Sequence, residues 1–113
     1  MQKQALFAVV LVSGALALAS GPVLAGGNAH VHEALHHAEE AAEHGGMGHA
    51  DAVVKHANVA LGHAEAAQKE MKNPHLDEGV HELHEAVAHG KEGHAEVATK
   101  HAQSAVMHLK EVH

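Results

Sequence analysis

The chain has 113 residues, no Cys, Trp or Tyr, a single Phe, and a formal net charge of −7 from 14 acidic and 7 basic side chains, with its 16 His counted neutral. The acidic balance excludes nucleic acid and anionic membrane surfaces as partners, and the lack of aromatic rings excludes stacking on bases. Without Cys there is neither a disulfide framework nor thiolate metal chemistry.

The N-terminus reads as a cleavable secretory signal over residues 1–25. Lys3 supplies the charged start, Ala5 to Ala19 the apolar run, and Val23-Leu24-Ala25 the small-residue site before Gly26. The run is short for a membrane span of ~20 residues and is followed by Ser20-Gly21-Pro22. No Cys follows the cleavage point, so no lipid anchor is expected. Loss of Lys3 leaves six Lys against fourteen Asp and Glu, a formal charge of −8 for residues 26–113. This part is expected to be one small domain with no membrane association after cleavage.

Five Leu, nine Val and no Ile are all the large aliphatic residues of that domain, besides three Met. Alanine favours helix but contributes little hydrophobic free energy per residue buried. The expectation is a helical protein of marginal stability that a ligand would stabilise by mass action.

In chain order, the first helix carries Val31, Leu35, Ala38 and Ala42 at helical spacing, and Gly45-Gly-Met-Gly48 breaks it. The second carries Ala50, Val53, Ala57, Ala60, Ala64 and Ala67. Lys72-Asn73-Pro74 separates it from the next helix, with Asn73 suited to cap and Pro74 to the first turn. The third helix carries Leu76, Val80, Leu83 and Val87, and Gly90-Lys-Glu-Gly93 ends it. The fourth carries Ala95, Ala98, Ala102, Ala105, Leu109 and Val112. Residues 30–68 align without gaps on 75–113 at an offset of 45. Both glycines of each turn are retained, so the chain reads as a tandem duplication. The fold class expected is all-α: an antiparallel up-down four-helix bundle built from two duplicated helical hairpins, preceded by the signal peptide. Two loosely associated hairpins, or a dimer, are the alternatives.

The second helix of each repeat carries histidines seven residues apart: His49, His56 and His63, then His94, His101 and His108. Seven residues is nearly two turns, so each set returns to one face. In an antiparallel hairpin these face partners at matched heights. The pairs are His44 with His49, His37 with His56 and His30 with His63. In the second repeat they are His89 with His94, Glu82 with His101 and His75 with His108. That is a ladder with a rung every ~10.5 Å. Glu33, Glu40 and Glu85 sit four residues before His37, His44 and His89, one turn away on the same face. His36 and His81 extend a second row at i+4 spacing. Imidazole with carboxylate is a competent donor set for copper(II), nickel(II) or zinc(II), with copper(II) favoured by the affinity order. These ligands flank the apolar seam, so the sites are expected to be open to water, labile and independent. His32, His84 and His113 read as ordinary surface polar residues.

The runs at 48–63 and 93–108, each Gly-His-x₆-His-Ala-x₅-His, with the strings HAEEAAEHG, GHAEAA and AVAHGKEGHAEVATKHAQSAVMHLK, resemble the small metal-binding protein family of periplasmic bacterial proteins. The resemblance covers nearly all of residues 26–113. It implies a monomeric four-helix bundle in the periplasm that binds several copper(II) ions, accepts other divalent metals, and sequesters or ferries copper. It carries over His44, His49, His56, His63, His89, His94, His101 and His108. Glu82 departs from the histidine spacing, which implies a weaker rung. The sequence names no delivery partner. Two other functions compete: a pH-responsive protein whose imidazoles charge near pH ~6.5, and a bundle holding haem between two histidines. The second lacks both Cys-x-x-Cys-His and any aromatic pocket lining. No nucleophile set with an orienting partner is present, so an enzyme is not expected.

Overall fold

The computed structural model describes residues 26–113, all helix and short connections. The signal segment expected over 1–25 lies outside the described residues. Four helices follow one another: α1 (Gly26–Gly46), α2 (Ala50–Gln68), α3 (Pro74–Lys91) and α4 (Ala95–Lys110). Each packs on two neighbours, α1 and α3 both lying between α2 and α4, while α2 and α4 touch weakly across the diagonal. This is the antiparallel up-down bundle that the sequence predicts.

The two hairpin turns are built alike. Gly48 at φ 83° and Gly93 at φ 80° take the left-handed conformation that ends a helix without a Cβ clash. His49 N–H then donates to the His44 carbonyl at 3.0 Å and Gly48 N–H to Gly45 at 2.9 Å. In the second repeat His94 donates to His89 and Gly93 to Gly90, both at 3.0 Å. This six-to-one and five-to-two pairing is the Schellman motif. The α2–α3 connection works differently. Asn73 is extended, and its side chain accepts from His75 N–H at 2.8 Å and Leu76 N–H at 3.4 Å, with Pro74 as the first helical residue.

The core is mostly alanine. Ala34, Ala38, Ala41, Ala57, Ala60, Ala64, Ala98, Ala102 and Ala105 are fully buried, and only Leu76, Leu83, Leu109 and Val53 are large side chains buried to the same degree. In α1 the buried stripe is Val31, Ala34, Ala38 and Ala41; Leu35 and Ala42 lie at its edge. The two hairpins divide volume differently across one contact. A Cβ on Gly79 would stand 3.0 Å from Leu109 Cδ2. The equivalent positions in the first repeat hold Ala34 and Ala64, both buried.

Gly45 and Gly90 lie inside the last turns of α1 and α3, where the two hairpins meet. A Cβ on Gly45 would strike the Thr99 hydroxyl, which donates to the Ala95 carbonyl at 2.6 Å. One on Gly90 would stand 2.7 Å from Val54 Cγ2 and 3.3 Å from the Ala50 carbonyl. Positions 54 and 99 are equivalent in the repeats, so the bundle is closed by the same close approach on both sides.

Gly90→Ala is therefore expected to destabilise the bundle, because overpacking costs about 1–3 kcal/mol and alanine recovers only about 0.5–1 kcal/mol in a helix. Gly62, within α2, has nothing within 4 Å of its Cβ position. Gly62→Ala should raise stability. Thermal unfolding by circular dichroism checks both: for a small domain ~1 kcal/mol moves Tm by about 4–8 °C.

Candidate metal centre

The Schellman turn places the first histidine pair of each hairpin directly. One backbone hydrogen bond joins His44 to His49, and another joins His89 to His94. His49 and His94 occupy the N-cap positions of α2 and α4, and neither side chain caps the helix. Serine or aspartate would normally stand there and spend its side chain on backbone N–H groups. Histidine leaves its ring free to face the partner, with ring centroids 6.1 Å apart for His44 and His49 and 6.0 Å for His89 and His94.

From the turn the rings do not form separate rungs. His30, His63, His37, His56, His44 and His49 follow one another in a zigzag, with successive ring centroids 5.3, 6.2, 6.0, 5.0 and 6.1 Å apart. His44 stacks on His56 within 7° of parallel, closer than the His37–His56 pair at the same nominal height. The cause is the tilt of side chains toward a helix N-terminus. In antiparallel helices that tilt drives the two rows in opposite directions, so α1 rings shift away from the turn and α2 rings toward it. The expectation of isolated rungs is thereby replaced by one continuous row. In the second repeat the row runs His75–His108 at 5.6 Å, then His101–His89 at 5.3 Å and His89–His94, with Glu82 entering where the first repeat has His37.

Several donor atoms already stand at the separations found around one ion. Imidazole nitrogen and carboxylate oxygen bind divalent metals at ~2.0–2.2 Å, so neighbouring ligands are roughly 2.8–3.5 Å apart. The Nδ1 atoms of His30 and His63 are 3.0 Å apart, and those of His75 and His108 3.4 Å. Glu40 Oε1 lies 3.2 Å from His37 Nδ1 and 3.1 Å from His56 Nδ1. Three clusters of three donors have all their ligand atoms within 4.8 Å of one another: His37–Glu40–His56, Glu85–His89–His101 and His89–Glu92–His94. Buried nitrogens mark the same rows of histidines. The Nδ1 atoms of His37, His44 and His89 are buried with no hydrogen-bond partner, the Glu40 oxygen near His37 being out of line. An unpaired buried polar atom costs roughly 1–3 kcal/mol, a penalty that ligation of the lone pair would remove.

The two central clusters differ in an instructive way. Glu40 and His56 correspond to Glu85 and His101. In the first repeat the third donor is His37, on the side away from the turn. In the second, Glu82 stands there and accepts from His101 Nδ1–H at 2.7 Å, which leaves Nε2 to carry the lone pair of His101. The third donor then comes from the turn side, as His89.

Other expected residues are not drawn in. Glu33 is exposed and belongs to none of the three clusters, although its spacing puts it one turn from His37. His36 is exposed, lies edge-on to the His37 ring at 5.3 Å and meets the outer oxygen of Glu40 at 3.5 Å, outside the three clusters. His81, its counterpart, is exposed and outside the clusters. Glu92 was not among the residues singled out from sequence. It lies in the turn, 3.7 Å from His89 Nδ1 and 3.3 Å from His94 Nδ1. Its signal was legible as a carboxylate three after one turn histidine and two before the other. His84 pairs across the α2–α3 face with Glu65 at 3.3 Å, a contact that no local spacing reveals.

A family model described as Small metal-binding protein matches residues 2–112. No curated protein matches the chain.

The geometry separates Glu40 from Glu33. Glu40→Gln should weaken metal binding at the first-repeat cluster by at least about 10–100-fold, the range for losing a mere hydrogen-bond partner of a ligand, whereas Glu33→Gln should leave it unchanged. Competition titration against a chelator checks this, with circular dichroism confirming equal helix content.

Proposed function

Because the chain belongs to the small metal-binding protein family, we propose that it captures and reversibly holds several divalent transition-metal ions, copper(II) first, in the periplasm after export. The observation that carries this reading is the set of facing donors. His30 and His63, His75 and His108, and Glu40 and His56 come from opposite helices and meet at 3.0–3.4 Å, and His37, on the same helix as Glu40, adds a third donor 3.2 Å from it. A hairpin repeated twice supplies them along its edge rather than in its core.

Ligand chemistry favours copper(II). Imidazole nitrogen with carboxylate oxygen suits copper(II), nickel(II) and zinc(II), and copper(II) heads the divalent affinity order. The sites are partly exposed: His37 and His56 keep about a quarter of their side-chain surface, and Glu40 a third. An ion there is reached through water and released through water, which fits buffering or carriage better than a structural role. Among the described residues no helix is long and apolar enough to cross a membrane, which accords with a protein free of the bilayer once its signal is removed. Binding, and not catalysis, is the activity proposed.

Protons compete with metal for the imidazole lone pair, so bound metal should fall steeply as pH drops. Calorimetry with copper(II) near pH ~7 is expected to show more than one equivalent bound at micromolar affinity or better, with most of it released by about pH 5. Full loading at the lower pH would overturn histidine ligation, and less than one equivalent at the higher pH would overturn the function.

A further inference from the structure

The two clusters of the second repeat share one residue. His89 belongs both to Glu85–His89–His101 and to His89–Glu92–His94. Its two ring nitrogens point to different sets. Nε2 lies 3.7 Å from Glu85 Oε1, and Nδ1 lies 3.7 Å from Glu92 Oε1. The ring is stacked on His101 within 6° of parallel and faces His94 across the turn. Nδ1 is buried and has no hydrogen-bond partner, so it is not committed elsewhere among the described residues.

A neutral imidazole has one nitrogen with a free lone pair and one that carries hydrogen. It can complete one of the two sets at a time. Resting on the metal-holding function argued above, we propose that these are two overlapping sites that hold one divalent ion between them, with His89 as the pivot. The outer set is open, Glu92 keeping 62 % and His94 58 % of their side-chain surface. The inner set is more enclosed, Glu85 keeping 40 % and His101 29 %. An ion met at the turn and an ion resting deeper in the groove are then the same ion, handed from one carboxylate to the other around a single ring whose proton passes through water from Nε2 to Nδ1 as the ion moves from Nδ1 to Nε2.

The first repeat is not arranged this way. His37 completes the Glu40–His56 cluster from the far side, so His44 is left out of it. At the turn, Met47 stands where the second repeat has Glu92, and no carboxylate joins His44 and His49. Two substitutions between the copies, His37 against Glu82 and Met47 against Glu92, therefore create the overlap in one hairpin alone.

Native mass spectrometry of the mature protein saturated with copper(II) tests the proposal by counting ions. An outer variant combines Glu92→Gln with His94→Ala, and an inner variant combines Glu85→Gln with His101→Ala. None of the four residues belongs to the buried core, and circular dichroism confirms the fold. Each variant should bind as many ions as the unaltered protein, because the surviving set still holds the shared ion. The two combined, and His89→Ala alone, should each lose one ion. Loss of an ion from either the outer or the inner variant overturns the proposal, as does loss of two from His89→Ala, the result for two ions bridged by a deprotonated ring. An unaltered protein that binds no copper(II) overturns the metal function itself, a result distinct from any of these.

Discussion

The site depends on one backbone hydrogen bond in each turn, from His49 N–H to the His44 carbonyl and from His94 N–H to His89. That bond exists because Gly48 and Gly93 can adopt positive φ. It reverses the chain in a fixed register, and the register decides which side chains face one another all the way along each hairpin. Histidine at the N-cap is the second half of the device. A residue that usually satisfies the helix end instead presents a free ring at the mouth of the groove.

The alanine core serves the same geometry. Helices lined with alanine and glycine approach closely, as at Gly45 against Thr99 and Gly90 against Val54. Those two contacts join the hairpins to each other, while within each hairpin the fully buried alanines leave the flanking histidines of the paired helices within reach. The cost is weak cohesion, since few large side chains are buried. Unpaired Nδ1 atoms on His37, His44 and His89 add to that cost. An ion bound across two helices would offset both, linking the helices and satisfying the nitrogens, and would couple folding to metal capture through the same atoms.

The two hairpins share one backbone plan and differ in chemistry. The turns, the seven-residue histidine spacing and the Glu40–His56 and Glu85–His101 pairs are kept. The exchange of His37 for Glu82 turns a ligand position into a hydrogen-bond acceptor for His101. That moves the central cluster of the second repeat toward its turn, where Glu92 already stands between His89 and His94.

Residue order alone determined much of this. Glycine spacing, the Asn73-Pro74 start and the apolar periodicity of four segments dictate helices and tight reversals, because these are local constraints on φ and on helix ends. Seven-residue histidine spacing dictates a row on one face. The choice of carboxylate was not local. Spacing pairs Glu33 with His37, yet Glu40 is the one that meets both His37 and His56. Nor could spacing show that His56 leans toward His44 or that His84 meets Glu65. Those contacts depend on the opposed tilt of side chains on antiparallel helices and on how closely two backbones approach. They are properties of two helices together, and only the packed bundle sets them.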